Sequence, residues 1–90
     1  MKSARVRSSL RRKGFVESDS HHHMLVLVVG GRETRISTRV SHGGNEDIPA
    51  NIVAQMAKQC HLTNEQFGML VRCPLSASAY VELVRQKGAL

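Results

Sequence analysis

Three consecutive histidines, His21, His22 and His23, together with Arg35 and Arg39, are the residues of this ninety-residue chain best suited to chemistry. An imidazole with an ordinary pKa of about 6.5 takes up or releases a proton at neutral pH. It can remove the proton of a ribose 2′-hydroxyl or protonate a leaving 5′-oxygen, while guanidinium groups hold the phosphate between them. RNA cleavage by that route needs no metal and no cofactor. Three adjacent histidines also fit a solvated patch that picks up metal adventitiously. A built zinc site is less favoured, because two strand neighbours cannot both reach one ion without a third ligand. His42 is the one further histidine placed to supply it, and its glycine-rich turn equally suits a turn-stabilising hydrogen bond.

The elements that must position these groups follow from local pattern. Residues 21–29 are mostly β-branched or apolar and predict a strand, on which His21 and His23 share one face and His22 takes the other. Gly30-Gly31 supplies the positive φ angles of a two-residue hairpin turn. Arg32 to Val40 then alternates, with Thr34, Ile36, Thr38 and Val40 on one side and Arg35, Ser37 and Arg39 on the other. The hairpin therefore has one basic face. A third short strand would complete a sheet, although nothing in the sequence announces it.

Upstream, Val6 and Leu10 lie one turn apart among basic residues, so residues 3–13 predict a short helix ended by Gly14 and anchored by Phe15, with a loop over Glu17 to Ser20. Downstream, Asp47 and Pro49 resemble a helix start, and Ile48, Ile52, Val53 and Met56 repeat at helical spacing to about Cys60. Thr63 and Gln66 form a capping box ahead of Phe67, Leu70 and Val71, and Pro74 closes that helix. Ser76 caps a last helix, with Leu75 and Tyr80 as a hydrophobic staple and Gly88 at its end. The predicted order is α-β-β-α-α-α, an α+β domain whose helices pack on a β-hairpin or three-stranded antiparallel sheet.

Charge is unevenly placed. Residues 1–42 hold nine of the thirteen Lys and Arg against three acidic residues, which is the whole surplus of +6, and residues 43–90 are neutral. A polyanion engaged by the first half is the leading expectation, with nucleic acid ahead of membrane. Arg11, Arg12 and Lys13 on the first helix, with Arg35 and Arg39 on the hairpin, are the candidate phosphate contacts. Aromatic content of 3% speaks against a base-stacking platform.

Other classes fall away. Ninety residues allow one small domain, and 41% hydrophobic with 22% charged residues is an ordinary globular balance. There is no phosphate-binding glycine loop, no GxSxG elbow and no Cys–His zinc spacing. The apolar run Met24 to Val29 is too short to cross a bilayer, no apolar leader follows the basic start, and Cys60 and Cys73 form no disulfide framework. A cytoplasmic protein with reduced thiols is expected.

Met1-Lys2-Ser3, the basic helix ending in Gly14-Phe15, and Ser20-His21-His22 resemble the opening of HicA-family toxins, the small mRNA interferases of HicA–HicB toxin–antitoxin systems. Gly31, Thr38-Arg39-Val40-Ser41-His42-Gly43, Met56-Ala57-Lys58-Gln59-Cys60, and Cys73-Pro74-Leu75-Ser76 with Tyr80 resemble a longer branch of HicA-like proteins. The similarity spans nearly the whole chain. It implies a single HicA-like domain with a core similar to a double-stranded RNA-binding domain over residues 1–60 and a helical extension over 61–90. It also implies a strand-borne catalytic histidine at His21, with His23 and His22 as alternatives because a run of three histidines lets the register slip; separately, Asp19 stands where the family has glycine. An mRNA substrate, a HicB-like antitoxin partner and metal-independent cleavage follow from the same resemblance. From the residues alone, a non-catalytic RNA- or DNA-binding module stays open, as does a protein-docking role for the neutral helical half.

Overall fold

In the computed structural model, which describes residues 1–18, 24–40, 46–72 and 74–90, the chain runs α1 (Ser3–Arg12), β1 (Phe15–Glu17), β2 (Met24–Val29), β3 (Arg32–Arg39), α2 (Ala50–Gln59), α3 (Asn64–Arg72) and α4 (Ala77–Gln86). The strands form one antiparallel sheet in the order β1-β2-β3. The α+β expectation is met, and the third strand exists.

That third strand corrects the loop expected from Glu17. Gly14, at φ +104, turns the chain out of α1 into a region that disfavours residues with a side chain. Its carbonyl accepts from the Val28 N–H at 3.0 Å, so the residue that ends the helix also begins the ladder. Phe15, Val16 and Glu17 then pair with Leu27, Val26 and Leu25. Three residues carry too little periodicity to announce a strand, and cross-strand pairing supplies what local pattern lacks.

Gly30 and Gly31, at φ +60 and +78, make the expected two-residue turn between Val29 and Arg32. Further along, the ladder shifts: β2 advances two residues from Val26 to Val28 while β3 spans four from Glu33 to Ser37. Thr34 bridges the irregularity. Its hydroxyl donates to the Leu27 carbonyl at 2.8 Å and accepts from the Ile36 N–H at 3.2 Å, replacing backbone pairing with side-chain bonds. Because two residues are added rather than one, the alternation survives: Ile36 and Thr38 are buried while Arg35 and Arg39 are exposed. Thr34→Val keeps shape and strand propensity but strips two partly buried groups of their partner. It should cost about 1–3 kcal/mol in a denaturant melt, and an unchanged midpoint would show that water repairs the bulge.

The helices cover one face of the sheet. Leu25, Leu27 and Ile36 meet Val6 and Leu10 of α1, Met56 of α2, Phe67, Leu70 and Val71 of α3, and Tyr80 and Val84 of α4 in a single buried cluster. The core therefore draws on both sides of the expected 60/61 division. Tyr80 stacks on Phe15 with ring centroids 5.9 Å apart, and its hydroxyl donates to the Cys60 carbonyl at 3.0 Å.

The caps of α3 and α4 follow the sequence. The Thr63 hydroxyl accepts from the Gln66 N–H, the Gln66 side chain accepts from the Thr63 N–H, and the Ser76 hydroxyl accepts from the Ala79 N–H. Asp47, expected at the start of α2, is used differently. The helix begins at Ala50, and Asp47 lies opposite Lys2 in a short antiparallel bridge, fixed by Ser3 N–H to Glu46 O and Ile48 N–H to Met1 O. Pro49 disfavours a helical conformation at Ile48, which leaves this segment extended and free to pair. His61 holds the left-handed position that closes α2, at φ +61, and its carbonyl accepts from Lys87 Nζ at 2.7 Å.

Candidate functional site

Of the expected site residues, Arg11 and Arg39 lie at one end of the sheet. The Ser18 N–H donates to the Met24 carbonyl at 2.9 Å, which closes the β1–β2 ladder where the segment 19–23 leaves and rejoins it. Met24 stands opposite Arg39 on β3, and Val40 then leads into the segment 41–45. The two histidine-bearing segments therefore join the sheet at the same end. His21, His22, His23 and His42 themselves lie outside the described residues.

α1 brings two guanidinium groups to that end. Arg11 Nη2 lies 2.5 Å from the Glu17 carboxylate and Arg7 Nε lies 3.6 Å from it, while Arg7 Nη2 donates to the Val40 carbonyl at 3.0 Å. Arg7 thus touches the last residue of β1 and the residue after β3. Sequence reasoning missed it. The available signal was its i, i+4 spacing from Arg11, which puts both on one helix face. Arg39 is exposed and has no acidic partner among the described residues, so its charge is the one most open to a phosphate. Among the described residues, three guanidinium groups against one carboxylate make the sheet end an anion-attracting surface.

The other expected contacts go elsewhere. Arg12 is exposed and its guanidinium donates to the Ser9 hydroxyl at 3.3 Å. Arg35 shares the outer face with Arg39, but four residues of strand separate them by roughly 13 Å. It lines a different depression with Val29, Glu33, Thr34, Arg85 and Leu90. Lys13 is a correction: it is 6% exposed and its ammonium donates to the Leu75 carbonyl at 2.5 Å. The ammonium ties α1 to the turn before α4, and a lysine held that way does not reach an RNA phosphate.

All three aromatic rings of the chain, Phe15, Phe67 and Tyr80, are buried. None of them can stack on a nucleobase, so these rings add nothing to phosphate contacts. Among the described residues no group of three or more His, Cys, Asp and Glu side chains stands together to hold a metal, and no helix is long and apolar enough to cross a membrane.

Thiol chemistry at Cys60 is closed off. Burial pushes its pKa from 9.0 up to about 12, partly offset by the neighbouring Tyr80 hydroxyl, and burial likewise pushes Tyr80 up. The folded chain then keeps a proton that the unfolded chain loses above pH 9, so stability holds below that pH and falls as pH rises. Between pH 9 and 10 the thiol's share of the slope should rise from about 0.7 to about 1.2 kcal/mol per pH unit, with Tyr80 adding to it as an unfolded tyrosine begins to ionise. Denaturant melts read it, and Cys60→Ala should flatten the slope over that interval. An equal slope in the variant would place the titration elsewhere.

The fold and this end of the sheet define a small α+β domain with a basic surface beside two histidine-bearing segments. No protein-family model, curated protein or solved structure matches the chain.

Proposed function

We propose that this chain is a metal-independent ribonuclease of the HicA-like kind, an mRNA interferase that serves as the toxin of a type II toxin–antitoxin pair. One observation carries the reading: the segments containing His21–His23 and His42 join the sheet at one end, beside Arg7, Arg11 and Arg39. In this mechanism His21 takes the proton of a ribose 2′-hydroxyl, the 2′-oxygen attacks phosphorus, and the P–O5′ bond breaks as the 5′-oxygen gains a proton. His23 and His22 are the alternatives of register. Arg39 neutralises the phosphate as charge builds on it, and Arg11 supports it.

A helix, three antiparallel strands and a helix over residues 3–59 support the likeness to a double-stranded RNA-binding domain that the sequence resemblance implies. An mRNA substrate puts the protein in the cytoplasm. A HicB-like antitoxin is the partner this reading requires, and covering the histidine end is how it would silence the enzyme.

The test is a labelled transcript incubated with the purified chain in EDTA from pH 5 to 8, beside growth after expression from a tight promoter. Fragmentation and growth arrest are expected. RNA bound in a salt-dependent way but left intact would overturn catalysis and favour a non-catalytic RNA- or DNA-binding module. Arg35 and Arg39, exposed and partner-free among the described residues, give that second reading its physical basis, since phosphate contacts need no histidine.

A further inference from the structure

We propose a separate anion site, built for a phosphomonoester, where the chain's first residues, α1 and α3 meet. It does not use the histidine end and stands independently of the nuclease reading. Lys2, Arg5 and Arg72 surround a depression of about 320 Å³ whose remaining walls are Met1, Asp47 and Val71. Lys2 is committed to Asp47 at 3.3 Å, whereas Arg5 and Arg72 have no acidic or hydrogen-bonding partner among the described residues. Among the lining side chains, three cations against one carboxylate leave a charge of +2, which suits the dianion of a phosphomonoester near neutral pH. Guanidinium groups offer the paired N–H geometry that phosphate oxygens accept.

The site is held from three sides. The Lys2–Asp47 bridge, with its flanking bonds from Ser3 to Glu46 and from Ile48 to Met1, fixes one wall. Arg5 comes from α1 and Val71 with Arg72 from the last turn of α3. A second observation concerns Gly68, buried in the middle of α3, where glycine is among the least favourable helix residues. A Cβ added there would meet one side chain, the Arg72 guanidinium, with Nη2 at 3.1 Å. Gly68 therefore leaves room for Arg72 to fold back along its own helix beside the depression, and an alanine would push that guanidinium out by tenths of an ångström.

The full chain, titrated at low salt with inorganic phosphate, a nucleoside 5′-monophosphate, and an RNA oligonucleotide with and without a 5′-phosphate, tests the proposal by calorimetry and amide chemical shifts. Saturable binding is expected, with shifts at Lys2, Arg5 and Arg72. Arg5→Ala and Arg72→Ala should each weaken it roughly ten- to a hundredfold, as loss of a charge-assisted hydrogen bond does. Both side chains are exposed, so circular dichroism should show folded variants. Gly68→Ala should melt no lower than wild type and still bind more weakly, a result that loss of folding cannot produce. Binding that never saturates with any probe, or that saturates with unchanged affinity in both arginine variants, overturns the site. The probe that binds most tightly distinguishes a free phosphate compound from an RNA terminus.

Discussion

Replacing Tyr80 with alanine should remove roughly 3–5 kcal/mol of stability, the range for truncating a fully buried aromatic side chain. The ring has no exposed surface, lies against Phe15 and bonds through its hydroxyl to the Cys60 carbonyl, so the substitution opens a cavity and strands an acceptor together. Small domains are held by about 5–15 kcal/mol, and in one of this size each kcal/mol moves the midpoint by about 4–8 °C. A fall of more than 12 °C in thermal circular dichroism is therefore expected. Tyr80→Phe keeps the ring and loses the hydroxyl alone, which should cost about 1–2 kcal/mol. If the alanine variant melts within two or three degrees of wild type, α4 is an appendage and the single-core description is wrong.

Substituting His21 by alanine should slow RNA cleavage by about 10²–10⁴-fold, the contribution of a positioned general acid or base, without moving the melting midpoint. His22→Ala and His23→Ala should change the rate only a few-fold. A large loss in one of those instead transfers the role to that residue, and undiminished cleavage in all three single variants and in the triple variant removes the run from the mechanism. Arg39→Ala should lower kcat as well as raise KM, since it deletes a phosphate contact that strengthens as charge builds, and it should flatten the salt dependence of binding. Lys13→Ala should leave cleavage alone and lower stability, because its ammonium is spent on Leu75.

What could be read in advance was whatever short-range chemistry determines. The Gly30-Gly31 turn, the Thr63–Gln66 box and the Ser76 cap each depend on residues no more than four apart, and each forms as read. The alternation on β3 could be read because the bulge adds an even number of residues. Phe15–Glu17 could not, since its strand character comes from Leu25, Val26 and Leu27. Lys13 looked like its basic neighbours because the carbonyl that captures it lies 62 residues away. For the same reason Arg11 looked free until β1 brought Glu17 back along α1. The histidine run set the expectation of acid–base chemistry, and the strand ends show which charged groups stand where residues 19–23 leave the sheet.

Arg7 reaches both the Glu17 carboxylate and the Val40 carbonyl, and so anchors the strand ends from which residues 19–23 and 41–45 depart. Two segments that share an anchor are thermodynamically linked: a ligand that draws Arg7 toward one changes the affinity of the other for its own ligand, and by the same factor in reverse. In the proposed ribonuclease, a molecule gripping residues 41–45 would then retune the reaction proposed for residues 19–23 by way of Arg7.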